Sequence, residues 1–168
     1  PVSGRARGLG LLGACLIIGL VGWAWIFGLG VHFFGKEYLA TSAPMVGVLG
    51  AALGAYTLVS VSLGFLLGQL GLGDNATNAI ANIGGMVMSV LGGAWISVDM
   101  LPDAVVAFSR FTPGYWAARA ITGLHNAASI SSDTILPLLA DCGVCALFAV
   151  ALLSVGIAVG RTRARSAL

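Results

Sequence analysis

The sequence predicts an all-α polytopic membrane protein, with four transmembrane helices and a pair of short re-entrant helices on the outer face. Three observations predict it. Hydrophobic side chains make up 58% of the 168 residues and charged ones 8%, where soluble domains carry roughly 25% charged residues; a water-facing surface cannot be built from this. Four apolar runs are each long enough for the ~20 residues that cross a hydrocarbon core. Glycine contributes 25 residues, well above the usual share of about 7%, and glycine is enriched where helices pack closely in a bilayer.

The runs are Leu9–Phe34, Pro44–Leu72, Ala76–Val98 and Ile135–Gly160, and Asp141 is the one charged residue inside them. Arg5 and Arg7 before the first run, with small residues at Ala40-Thr41-Ser42-Ala43, suggest a secretory signal. The run is longer than the 7–15 residues of a signal h-region, so it is read as a span. Basic residues stand at both ends, Arg5 and Arg7 before the first run and Arg161, Arg163 and Arg165 after the last. Four crossings put both ends on one side, and the excess of arginine makes that side cytoplasmic. The turn at 35–43 and the segment 99–134 then lie outside, and the turn at 71–75 inside.

Segment 99–134 holds Asp99, Asp103, Arg110, Arg119, His125 and Asp133 and is too polar to span. Leu101, Val105, Phe108 and Phe111 recur at helical spacing after Leu101-Pro102, which predicts a short amphipathic helix. Thr112 followed by Pro113 has the pattern of an N-cap and first helical position, predicting a second helix through Tyr115, Trp116, Ile121 and Leu124. Ser131, Ser132 and Asp133 are candidate caps for the fourth span. Trp95, Tyr115 and Trp116 are expected at the outer interface, where aromatic belts sit.

Several function classes are excluded. A net charge of +2, with no basic patch interleaved with aromatics, does not suit nucleic acid. Three cysteines make no disulfide framework; Cys142 and Cys145 share a helix face, but nothing supplies further metal ligands, so they are read as packing residues. Gly30–Glu37 has the spacing of a phosphate-binding loop, but Glu37 stands where that loop requires Ser or Thr, and a span precedes it in place of a strand. Lys36 and Glu37 are expected to cap the outer end of the first span. Asn75-Ala76-Thr77 has the glycosylation pattern but falls at the inner turn. Gly50/Gly54, Gly64/Gly68 and Gly156/Gly160 are spaced for close helix approach.

Two features carry functional expectations. Asp141 lies about six residues into the fourth run, roughly 9 Å below its outer end; ionisable residues at depth mark function, and here the alternatives are pairing with Arg119 or Arg110 and a direct role with substrate or proton. Asn78, Asn82, Gly85, Ser89 and Gly92 lie on one face of the third run, opposite Ile80, Ile83, Val87, Val90 and Leu91. A polar face in lipid is unfavourable, so this stripe is expected to serve helix packing or to line a transport path.

The order Leu91-Gly92-Gly93-Ala94-Trp95, Leu101-Pro102 and Phe111-Thr112-Pro113-Gly114-Tyr115-Trp116-Ala117 before a last span and a basic tail resembles the type-2 ABC-transporter permeases. The resemblance is specific over about residues 78–130. It implies an exporter subunit in which Pro102, Pro113, Tyr115 and Trp116 belong to an outer gate. It also implies a second permease copy or close relative as partner, and cytoplasmic ATPase subunits that bind the ATP, with no cofactor on this chain. Such permeases have six spans, so the chain, which opens on Pro1, is expected to be their last four, without the first two and the loop that receives the ATPase. The rival readings are an intramembrane protease or phosphatase, for which Asp141 lacks companion residues, and a structural assembly subunit.

Overall fold

A computed structural model of the chain describes residues 4–41, 43–127 and 131–166. Among them are six α-helices and one 3-10 turn: α1 (Gly4–Thr41), α2 (Ala43–Leu70), α3 (Asp74–Leu91), the turn Val98–Met100, α4 (Asp103–Ser109), α5 (Pro113–His125) and α6 (Ser132–Ser166). Three of these are long and apolar enough to cross a membrane, over Ala6–Phe33, Pro44–Leu70 and Ser132–Ala164. The chain is thus an all-α, multi-pass helical protein, with three such helices where the sequence predicts four.

The difference lies in α3. Helix is expected to Val98 but ends at Leu91, because Gly92 and Gly93 close it: Gly93 takes φ +82, its N–H donates to Val90 O at 3.1 Å, and Ala94 N donates to Ser89 O at 2.9 Å. These two bonds with a left-handed residue form a Schellman cap, which glycine accepts without a Cβ penalty. The 18 residues of α3 reach about 27 Å, and Asp74, Asn75, Thr77, Asn78 and Asn82 make its first half polar.

The outer turn expected at 35–43 is also shorter than predicted. α1 continues to Thr41, since Lys36, Glu37, Leu39 and Ala40 are good helix formers and no proline or glycine stands between Gly35 and Pro44. Ser42 lies outside the described residues, as do the side chains of Lys36 and Glu37, so the expected cap cannot be placed. Residues 30–37 are continuous helix; their backbone N–H groups serve the helix ladder and leave no phosphate-binding loop.

The core sits where α2, α5 and α6 meet. Ala52, Ala55 and Val59 of α2, Ala117 and Ala120 of α5, and Cys142, Cys145 and Ala149 of α6 form one buried cluster; Met45, Val48, Leu124 and Leu138 form a second. Small side chains let backbones approach closely, which is how helices associate without a hydrophobic drive between them. The glycine pairs sit at these contacts: Gly50 faces the Phe27 ring, Gly64 and Gly68 face Cys15 and Leu11 of α1, and Gly156 and Gly160 face Phe65 and Gln69 of α2. α1 packs chiefly on α2, touches α6 as well, and keeps Ile17, Ile18, Val21, Trp25 and Ile26 exposed, as a lipid-facing helix does. α3 meets the bundle mainly through its last turn, against α5.

Candidate functional site

The breaks at Pro102 and Pro113 fall where the sequence places them. α4 starts one residue after Pro102, and α5 starts on Pro113 with Thr112 before it. Thr112 does not cap through its side chain; its Oγ1 instead donates to Ser109 O at 2.7 Å, tightening the turn between the two helices. Ser109, fully buried, donates to Val105 O at 2.9 Å. The apolar stripe of the first short helix is not covered by this chain: Val105 is half-buried, while Phe108 and Phe111 are 62% and 78% exposed.

The start of α5 lies deep in the bundle. Cys145 Sγ donates to Pro113 O at 3.6 Å, and Cys145 is about 15 Å along α6 from Ile135, where the last apolar run begins. At its other end, Gly123 lies against Leu138. α5 therefore climbs from mid-depth toward the start of α6. Pro113 and Tyr115 are buried there and Trp116 half-buried, while Pro102 is exposed. Tyr115 is accordingly inside the bundle and not on a lipid-facing belt; Trp95, 71% exposed, faces outward.

Two halves of the quoted motif meet in space. A Cβ added to Gly114 would stand 2.7 Å from Met88 O, and one added to Gly92 would stand 3.0 Å from Gly114 O. The last turn of α3 and the first turn of α5 thus touch backbone to backbone, with no room for a side chain between them. Gly114 was within the motif read from the sequence, but only the folded chain shows that Gly92 is its partner.

Of the two partners open to Asp141, the structure selects Arg119. Arg119 Nε donates to Asp141 Oδ2 at 2.8 Å and Nη2 donates to Oδ1, a bidentate fork. Asp141 is 3% exposed, whereas half of the Arg119 side chain reaches the surface. The guanidinium also lies over the Trp116 ring, 4.6 Å from its centroid, one helical turn back. A guanidinium is not deprotonated in proteins, so the partner of Asp141 is a permanent cation. Trp116 Nε1 in turn donates to Arg110 O at 2.8 Å. An unbroken series of contacts therefore runs from the end of α4 through Trp116 and Arg119 of α5 to Asp141 of α6. Both carboxylate oxygens are held by the fork, which leaves Asp141 poorly placed as a general base. Among the described residues no three His, Cys, Asp or Glu side chains gather as a metal set.

The polar stripe of α3 is distributed differently. Gly92 is buried at the Gly114 contact and Ser89 is half-buried, while Asn78, Asn82 and Gly85 are exposed and face away from this chain's own helices. The opposite face is also open, with Ile80, Ile83 and Val87 at 46%, 65% and 49% exposure.

No protein-family model, curated protein or solved structure matches the chain. What stands without them is a multi-pass helical membrane protein whose two short helices are tied to α3 and α6.

Proposed function

We propose that the chain is a transmembrane subunit of an ATP-driven exporter of the type-2 ABC permease class, with the ATPase on separate cytoplasmic subunits and a second permease copy or close relative beside it. The observation that carries this reading is the backbone contact between Gly92 and Gly114. It joins the glycine-rich helix end to the Pro-Gly-Tyr-Trp helix start, the two sequence features on which the resemblance rests. In this reading α4 and α5 are the re-entrant pair. Helices that begin and end within the apolar layer need protein or water around their free backbone groups, and α5 meets that need by lying in the α2–α6 cleft with its N-terminal end at Cys145. Pro102, Pro113, Tyr115 and Trp116 then frame an outer gate. The Arg119–Asp141 fork couples that gate to α6, so a tilt of α6 driven from the cytoplasmic side moves the gate.

Both termini are cytoplasmic in this scheme, and the α3 stripe faces the neighbouring permease or the transport path. The test is affinity purification of the tagged chain from native membranes in mild detergent. The expected result is co-purification of a Walker-motif ATPase and of a second permease copy. Recovery of the chain without any ATPase, together with hydrolytic activity of its own, would overturn the proposal.

A further inference from the structure

At one end of the bundle, α1 and α6 both meet Gln69 at the end of α2, and this brings together backbone positions next to arginines from opposite ends of the sequence. From α1, a Cβ added to Gly8 would lie 3.7 Å from Gln69 Nε2; from α6, one added to Gly160 would lie 3.0 Å from Gln69 Cδ. Arg163 Nη1 donates to Gln69 O at 3.1 Å, passing over Gly71, whose φ of +54 and missing side chain leave room for the guanidinium. Arg163 thereby satisfies a free carbonyl at the negative end of α2. Arg7 and Arg161, next in sequence to the two glycines that touch Gln69, are exposed, and neither side chain has a protein partner among the described residues. The acid at this end is Asp74, exposed at the start of α3. Beside the cations lies open apolar surface: Leu9 is 71% exposed and Leu72 39%.

Exposed guanidinium groups at the same end of the bundle as exposed leucines complement an amphiphile with an anionic head. A guanidinium fork matches phosphate oxygens, to which it can donate two parallel hydrogen bonds. We infer that the Arg7–Arg161–Arg163 end binds the phosphate headgroup of an anionic phospholipid, with its acyl chains along Leu9 and Leu72. The inference rests on the chain being a membrane protein and not on the export reading; each can fail without the other.

The test is reconstitution of the chain into phosphatidylcholine bilayers containing a minor fraction of phosphatidylglycerol, followed by mild extraction and native mass spectrometry of the retained lipid. The wild-type chain is expected to retain phosphatidylglycerol well above its share in the bilayer. Because Arg7 and Arg161 have no side-chain partner among the described residues, R7Q/R161Q should keep its helicity and lose this enrichment by about fivefold per arginine, while R7K/R161K keeps most of it. Inorganic phosphate added during extraction should not displace the lipid. Equal retention of both lipids by the wild type, unchanged enrichment in R7Q/R161Q, or displacement by free phosphate would each overturn the inference, the last by pointing to a small-anion site.

Discussion

The two members of the Arg119–Asp141 pair are unequally exposed, and this sets unequal costs for losing either. Arg119→Gln strands a carboxylate that is 3% exposed, and an uncompensated buried charge costs about 3–5 kcal/mol. Asp141→Asn leaves a guanidinium that is half in solvent and can stay on the Trp116 ring, so its cost should be about 1 kcal/mol, as for exposed pairs. Denaturant titration of the detergent-solubilised chain should therefore find Arg119→Gln the less stable of the two; the reverse order would show that Asp141 has a partner besides Arg119. R119M/D141L, with apolar side chains of similar size, should recover most of the stability while uncoupling α5 from α6. This pairing was half legible in the sequence, since Asp141 is the one acid inside an apolar run and arginines near it were few. The choice between Arg110 and Arg119 was not, because it depends on the helical phase of α5, which Trp116 fixes by bonding Arg110 O.

Between elements, the tightest point is the crossing of α3 and α5 at Gly92 and Gly114. Gly114→Ala would place a methyl 2.7 Å from the Met88 carbonyl, a contact the two backbones can relieve only by separating. Overpacking of this kind costs about 1–3 kcal/mol, and Gly92→Ala should behave alike. Gly85→Ala, with nothing within 4 Å of the added Cβ, is the control and should raise α3 stability by up to about 1 kcal/mol through helix propensity. Thermal unfolding of the three variants tests this; equal effects at 85 and 114 would mean that the crossing is not as tight as described. The short helices were legible because Pro102 and Pro113 act locally, on the backbone at their own positions. The end of α3 was missed because Leu91, Ala94, Trp95 and Ile96 continue the apolar composition past it, and hydropathy reports solvent preference, not backbone conformation. Gly93, just beyond the last helical residue, was the signal that could have found it.

At the scale of the whole molecule, α3 is too polar to qualify as a span alone, and its length carries it from the arginine end to mid-depth. It begins beside the arginine end, three residues after Gly71, and ends at Gly114, level with Cys145. Cys145 and Arg163 are themselves about 27 Å apart along α6, matching the length of α3. Under the proposed exporter reading, four passes are expected with both basic ends cytoplasmic, and labelling tests this. In a background lacking Cys15, Cys142 and Cys145, a membrane-impermeant thiol reagent applied from outside should label cysteines placed at Lys36 and Ser131 and leave one at Arg163 untouched. Labelling of the cysteine at 163 would reverse the orientation.

A helix held mainly by its last turn, with exposed amides along one side, is incomplete as a membrane element. Asn78 and Asn82 stand about 6 and 12 Å up from the start of α3, so Asn82 reaches into the apolar layer, where an unpartnered amide is unfavourable. In the proposed reading a second copy would answer this, because an asparagine both donates and accepts, so the same stripe related by a two-fold axis would be its own complement. Interhelical contacts of this type contribute about 0.6–2 kcal/mol each, and the exposed glycine at 85 lets the two backbones approach. The stripe was legible from spacing alone, but its direction was not: periodicity finds a face and cannot say whether that face turns toward the chain's own helices or away from them. The prediction uses two neighbouring positions that point apart. In the same cysteine-free background, Asn82→Cys should form an oxidative crosslink between copies in the membrane, and Ile83→Cys, on the opposite face and 65% exposed, should not. If copies join through position 83, or if lipid-soluble thiol reagents modify both positions equally with no crosslink at either, the stripe faces lipid and the second copy packs elsewhere.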